Sequence, residues 1–169
     1  GVIRGDLGIS LHTREPVVHA ILSRLPVTIE LMILAQIMAL MVAVPLGIVC
    51  ACRPGKALDT GLNFLGFVMM SLPVFVTSIV LIYIFSVKLH WFPATGYTPI
   101  SENLFLNLRS FILPAVSIAM IEWVPLMRVL RSDMIGVLQE EYILMAKAKG
   151  LSTSHILFRH ALQPSSLTL

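Results

Sequence analysis

The sequence predicts an all-α, polytopic bundle of transmembrane helices, and three observations carry that prediction. Of the 169 residues, 57% are hydrophobic and only 12% are charged, and the mean hydropathy is +0.89, far from the balance of a soluble globular domain. Three apolar stretches are long enough to cross a bilayer, which needs roughly 20 apolar residues at about 1.5 Å rise each. Hydrophobicity along them is continuous rather than alternating, which favours helices over the strands of a membrane barrel.

The three predicted transmembrane helices cover about residues 28–52, 60–87 and 110–131. The short turn Arg53-Pro54-Gly55-Lys56 separates the first two, so these should form an antiparallel pair. The sequence opens on Gly1 and a new apolar stretch starts within residues 164–169, which we interpret as the beginning of a further, truncated transmembrane segment. We therefore expect a partial chain of a longer membrane protein.

Residues 1–27 are expected to form an extracytoplasmic segment. Its apolar residues recur at helical spacing, which indicates a short amphipathic helix lying along the membrane interface before the first span; these residues are Val17, Val18, Ile21, Leu22 and Leu25. We expect Thr28 to cap the first span, with Glu30 in its first turn, where a negative charge favours the positive end of the helix dipole.

The distribution of Lys and Arg gives the expected orientation. Three precede Thr28, two lie in residues 53–56, two lie between Lys88 and Arg109, and five follow from Arg128 onward. Alternate sides carry seven and five, so the second and fourth groups are expected to be cytoplasmic in a bacterial-type plasma membrane. Because the bases flank apolar spans, the net charge of +3 indicates this bias and not nucleic-acid binding.

Ser71-Leu72-Pro73 interrupts the second predicted span. Proline lacks a backbone donor and crowds the carbonyl four residues earlier, so a kink is expected. Such a break persists in lipid where neighbouring helices or water satisfy the backbone, which makes Ser71 and Pro73 candidates for lining a transport pathway. A structural bend without substrate contact is the alternative.

Glu122 is the acid placed deep in the third predicted span. A charge there costs at least ~2.5 kcal/mol, so we expect Glu122 to face a bundle interior or a water-filled cavity, and it is a second candidate for the pathway. Arg128 is not its expected partner, because six helical residues place the two side chains about 240° apart. A protonated, hydrogen-bonded structural Glu is the alternative.

Residues 132–163 are polar and are expected to form a cytoplasmic loop containing two short helices. Good helix formers run from Leu138 to Lys149, acids stand at the start of this run and lysines at its end, and Gly150 suits the position after the helix. Ser152 can cap the second helix. Residue patterns alone are equally compatible with a solvated connector.

The run Glu141-Tyr142-Ile143-Leu144-Met145-Ala146-Lys147-Ala148-Lys149-Gly150-Leu151, followed by Ile156 and His160-Ala161-Leu162, resembles the EAA coupling loop of importer-type ABC-transporter permeases. More narrowly, the chain resembles the dipeptide and oligopeptide permease branch. Other short matches keep the same order along the chain, among them Arg24-Leu25-Pro26-Val27-Thr28 and Trp91-Phe92-Pro93. Glu122 departs from the family pattern, which usually has a small or apolar residue there.

The resemblance implies partners and roles. Family members pair with a second permease subunit, dock their loops into an ABC ATPase dimer and receive cargo from an extracytoplasmic substrate-binding protein. It implies that Ala146 and Gly150 are small so that the loop can approach the ATPase. It also implies that the chain itself is no enzyme and binds no cofactor, since ATP and Mg belong to the ATPase; the remaining residues expected in the coupling loop are Glu141, Tyr142, Lys147, Lys149, Leu151 and Ile156.

Several alternatives remain at this point. Close relatives within the same transporter class carry nickel, glutathione or other small solutes, and the sequence does not name the cargo. A membrane-embedded enzyme would need a nucleophile and base or a metal-ligand set within the spans, where we find no histidine. A gated channel would ordinarily show rings of charge or filter carbonyls. Cys50 and Cys52 lack zinc-site spacing and are interpreted as small apolar fillers.

Overall fold

The computed structural model describes residues 7–10 and 14–166, apart from the side chain of Ser154. Its helices are α1 (Val17–Cys52), α2 (Ala57–Met70), α3 (Val74–Leu81), α4 (Leu104–Leu138), α5 (Glu141–Ala148), α6 (Thr153–His155) and α7 (Leu162–Ser165). Two π-helical segments, Ile82–Lys88 and Ile156–Ala161, continue α3 and α6 respectively. Within the described residues, the only β-type backbone pairing is an isolated antiparallel bridge between Ile9 and Pro16. The all-α prediction is confirmed.

Helices α1 and α4 are each long and apolar enough to cross a membrane. The stretch from Ala57 to Lys88 meets the same criteria only if its two helical parts are taken together, and these parts meet at an angle of 91°. The chain is therefore a membrane protein with two candidate spans formed by continuous helices and one bent candidate span.

The first span begins much earlier than expected. Helix α1 runs without interruption from Val17 through Pro26 to Cys52. The predictions of a separate interfacial helix and of a helix cap at Thr28 were therefore wrong. The Thr28 hydroxyl instead donates to the Arg24 carbonyl one turn earlier (3.2 Å). Glu30 lies well inside the helix, where it accepts a hydrogen bond from the Tyr97 hydroxyl at 3.4 Å. Helical pattern on both sides of Pro26 outweighs the donor that proline removes.

The expected helix over residues 60–87 is broken. Helix α2 ends at Met70, and Pro73 adopts an extended conformation (φ −60°, ψ 137°) before α3 begins. Pro73 has no N–H to continue the hydrogen-bond ladder, which explains why the chain turns here. Pro45 lies within α1 without a break, so proline alone does not decide where a helix ends.

Helix α4 also exceeds its prediction, because it begins at Leu104 and ends at Leu138 instead of covering residues 110–131. Its start has a clear local cause. Asn103 is the N-cap, and its side-chain oxygen accepts hydrogen bonds from the backbone N–H groups of Phe105 (3.0 Å) and Leu106 (3.1 Å). These bonds satisfy donors that the first turn of a helix cannot pair internally.

The core lies between α1 and α4. One buried cluster joins the middle of α1 to the middle of α4; its fully buried members include Ala39, Ala43, Val124 and Met127. A second cluster joins their C-terminal ends; it contains Ala51, Leu130, Met134 and Ala161. Because the middle of α1 packs on the middle of α4 and their C-terminal ends also pack together, the two helices run in the same direction. The intervening helices α2 and α3 bring the chain back to the starting end of the bundle.

Some expectations concern residues outside this description. The expected extracytoplasmic segment includes residues 1–6 and 11–13, and the expected further span includes residues 167–169; all of these lie outside the described residues. Pro164, in the region of the expected further span, lies inside α7. Of the two cysteines, Cys50 is buried as expected, whereas Cys52 is exposed.

Candidate functional site

The coupling-loop candidate begins with the short helix α5, which has well-defined ends. It starts at Glu141 and stops at Ala148, where Gly150 takes a positive φ of +78°. The Gly150 N–H donates to the Lys147 carbonyl (3.0 Å), and the Leu151 N–H donates to the Ala146 carbonyl (3.3 Å). A residue with a side chain is strained at this φ, so glycine allows the helix to close and the chain to reverse. The predicted order of helix, glycine and helix is confirmed.

One face of α5 is packed against its own chain. Ile143 (0% exposed) and Ala146 (7%) form a cluster with Ile156 (2%), and Leu138 at the end of α4 packs against them. The expectation from the family resemblance was that Ala146 is small to admit the ATPase. In the structure the small side chain already serves a contact within the loop, because it brings α5 close to the segment Ile156–Ala161.

Tyr142 links the two halves of the loop, and Ser152 caps the second half. The Tyr142 hydroxyl donates to the carbonyl of His160 at 3.3 Å. Ser152 is the N-cap of α6, and its side chain accepts from the His155 N–H at 3.4 Å. The predicted cap at Ser152 is thus confirmed, and the described contacts make Tyr142 a link between α5 and the following helix.

The other face of α5 is exposed and partly apolar. Leu144 is 57% exposed and Met145 is 62% exposed, although both lie in a polar loop. The three charged residues expected at this site are exposed as well, and these are Glu141, Lys147 and Lys149. Large apolar side chains at the solvent edge of a loop are typical of a contact surface.

The predicted pathway residues do not form one site with this loop; they are Ser71, Pro73 and Glu122. The Ser71 hydroxyl donates to the Phe67 carbonyl of its own helix (2.8 Å), and Pro73 lies at the break after it. Glu122 is exposed on α4, so the other described helices of this chain do not cover it, and its place in a pathway stays a prediction. Arg128 turns away from Glu122, as its helical angle predicts, and stacks on the Phe67 ring with 4.0 Å from guanidinium to ring centroid.

Sequence reasoning missed a buried acid near the turn between α1 and α2. The Asp59 side chain is 4% exposed. Arg131 of α4 donates to both of its oxygens, each at 2.6 Å, the Gly55 N–H donates at 2.8 Å, and the Asn63 amide donates at 3.0 Å. The available signal was an acid directly beside an uncharged apolar stretch, where a partner must be provided. Among the described residues, no three His, Cys, Asp or Glu side chains are grouped to hold a metal ion.

Comparison with known proteins gives one family and several similar chains. The family model described as "Binding-protein-dependent transport system inner membrane component" matches residues 43–169. The chain is 37% identical over 169 residues to the oligopeptide transport system permease protein AppB of Bacillus subtilis (strain 168), covering 98% of this chain and 54% of that protein.

Two further similar proteins are dipeptide-type permeases. The di/tripeptide transport system permease protein DppB of Pseudomonas aeruginosa (strain UCBPP-PA14) is 33% identical over 95% of this chain and 54% of its own length. The dipeptide transport system permease protein DppB of Escherichia coli (strain K12) is 32% identical over 99% of this chain and 56% of its own length. The chain thus spans about half the length of the curated relatives it matches.

Proposed function

The chain belongs to the family of binding-protein-dependent transport system inner membrane components, and from this we propose that it forms part of the permease subunit of an ATP-driven importer of di- and oligopeptides. The names of the relatives support peptides as cargo. In this proposal a second permease subunit completes the membrane pathway, and an extracytoplasmic binding protein delivers the peptide. The protein is a multi-pass component of a bacterial inner membrane.

The observation that carries the proposal is the division of α5 into two faces. Ile143 and Ala146 face inward and fix the helix to the end of α4, while Leu144 and Met145 face outward. A solvated connector has no need of an inner packed face and an outer apolar one. We assign the outer face of α5 to docking with an ABC ATPase, which binds ATP and Mg²⁺ itself.

The proposed mechanism follows from the attachment of α5 to the end of α4. Closure of the ATPase dimer on ATP pushes on α5, and the packed inner face transfers this displacement to α4. Because helices packed side by side move as rigid bodies, the membrane helices rock between two arrangements that open the pathway to alternate sides. Residues of this chain supply contact and position, and the covalent chemistry of ATP hydrolysis takes place on the partner.

Leu144→Ala in the full-length protein tests this function in cells that contain all partner subunits. Removing an anchor side chain from a docking surface typically costs 1–2 kcal/mol or more, so we expect uptake of a labelled dipeptide to fall by about tenfold. Amounts of permease in the membrane should be unchanged, because Leu144 makes no part of the buried cluster. The ATPase subunit should co-purify in smaller amounts with the variant.

Leu58→Ala is the matched control, since Leu58 is 54% exposed and stands near the turn expected on the same side of the membrane, outside α5. We expect wild-type uptake from it. Equal uptake by wild type and Leu144→Ala would contradict the assigned docking surface. Uptake of labelled Ni²⁺ without any peptide uptake would keep the importer assignment and exclude peptides as cargo.

A further inference from the structure

The Asp59–Arg131 pair joins α2 to α4 at the end of the bundle near the loop, beyond the contact of Arg128 with Phe67 farther along the two helices. Asp59 belongs to the first turn of α2, and Arg131 lies on α4, two turns before the helix ends at Leu138. The carboxylate receives both guanidinium bonds in the bidentate arrangement that fixes relative orientation as well as distance. Bonds from Gly55 and Asn63 complete the shell of donors around it.

Stability alone gives a poor account of this pair. The Asp59 carboxylate is buried, and the Arg131 side chain is 26% exposed. Removing such charges from water is costly, so buried pairs often stabilise a fold no more than apolar residues of similar volume. The geometric restraint is what apolar residues would not supply. A pair with two short parallel bonds fixes the orientation of α2 relative to α4 as well as their distance at this level.

The pair is also close to the loop. Leu130, the residue before Arg131, belongs to the cluster that includes Ala161 of the loop and Ala51 of α1. One packed body is thus formed by the C-terminal end of α1, the C-terminal part of α4 and the second half of the loop. Asp59 and Arg131 attach α2 to that body at the same level.

We propose that Asp59 and Arg131 act as a clamp that transmits movement of the coupling loop from α4 to α2, so that both are positioning residues for transport. The inference rests on the proposed importer function. With the clamp closed, α2 moves together with α4, and the break at residues 71–73 separates this moving body from α3. Without the clamp, α4 follows the loop while α2 lags behind.

The test measures coupling in the complete transporter, reconstituted in liposomes with its second permease, ATPase and binding protein. Asp59→Asn preserves shape and removes the charge. We expect ATP hydrolysis per assembled complex to stay near the wild-type rate, while labelled dipeptide taken up per ATP falls about fivefold or more. A merely structural pair would lower assembled complex, ATP hydrolysis and uptake together, and that result would overturn the proposal.

Two more variants secure the interpretation. Lys56→Gln removes one exposed charge from the same turn, and we expect wild-type uptake per ATP. Arg131→Lys keeps the buried charges matched but cannot form the two parallel bonds, so it should assemble even if Asp59→Asn does not, with uptake per ATP reduced at least twofold. A wild-type ratio in Arg131→Lys would overturn the clamp.

Failure of the importer assignment has a different signature. In that case the wild-type complex itself would show no ATP-dependent uptake of peptide or of Ni²⁺, and the clamp proposal would fall with it. ATP-driven uptake in wild type, combined with unchanged ratios in all three variants, would overturn the clamp alone.

Discussion

Gly66 shows how one missing side chain sets a distance between helices. An ideal Cβ built at Gly66 would lie 2.7 Å from Cγ1 of Val124 on α4, closer than real Cβ atoms approach. Val124 is fully buried within the main core cluster, so it has little room to move. Small residues at such crossings let membrane helices pack backbone to backbone.

Gly66→Ala should therefore destabilise the protein despite the better helix propensity of alanine. Overpacking of this kind costs about 1–3 kcal/mol, and the thermal midpoint of the purified full-length protein in detergent should fall. Gly61→Ala is the control, because Gly61 is on the same helix and its Cβ would meet nothing within 4 Å. A lower midpoint for Gly61→Ala than for Gly66→Ala would contradict the packing argument.

Helix α1 also has small residues at its packing interface, along most of its length. Every fourth position carries a small residue that is buried or nearly so; these residues are Ala35, Ala39, Ala43, Gly47 and Ala51. Their stripe faces the large buried side chains of α4, such as Trp123 and Met127. At Gly47, a Cβ would lie 3.0 Å from Cδ2 of Leu130. Small residues on one helix and large ones on the other explain how two apolar helices find a defined register without water to drive them together.

Ala43→Leu inserts three carbons into this interface, where Ala43 is 0% exposed. We expect a loss of about 1–3 kcal/mol and a smaller fraction of folded protein after heating in detergent, measured by size-exclusion chromatography. Val42→Leu adds one carbon at the neighbouring position, which is 43% exposed, and should leave the folded fraction unchanged. Equal effects of the two changes would show that the stripe does not determine the packing.

The arrangement of the whole chain fixes which ends share a side of the membrane. Since α1 and α4 run in the same direction, the turn after α1 and the loop after α4 lie at one end of the bundle. The ion pair between Asp59 and Arg131 lies at that end too. The segment between Lys88 and Leu104 lies at the opposite end, where Arg109 donates to the Trp91 carbonyl at 2.7 Å and holds it against α4.

Cysteine labelling checks this topology in the full-length protein with Cys50 and Cys52 replaced by Ala. We expect Lys56→Cys and Lys149→Cys to react with a membrane-impermeant maleimide in inside-out vesicles only, because the five bases from Arg128 onward favour the cytoplasm. Thr95→Cys should react in intact spheroplasts only. Labelling of Lys56→Cys and Lys149→Cys from opposite sides would contradict the parallel packing of α1 and α4.

Composition and local sequence signals were sufficient to predict the all-α membrane fold and the helices of the coupling loop. Continuous apolar runs predicted membrane helices, and the acids, lysines and glycine between Leu138 and Gly150 predicted a short helix with a sharp end. Each of these signals acts through neighbours within one or two turns, so it can be read from the residues alone. The repeat of small residues along α1 was equally visible in the sequence and would have indicated its packing face.

Other features depend on residues far apart in the chain. The stop at Pro73 and the passage through Pro26 and Pro45 differ although the residue is the same, because neighbouring segments decide whether a continuous helix can be accommodated. The partner of Asp59 is 72 positions away. Burial of Ala146 and exposure of Glu122 likewise depend on which helix lies alongside. These properties arise from contacts between helices, and such contacts exist only once the chain has folded.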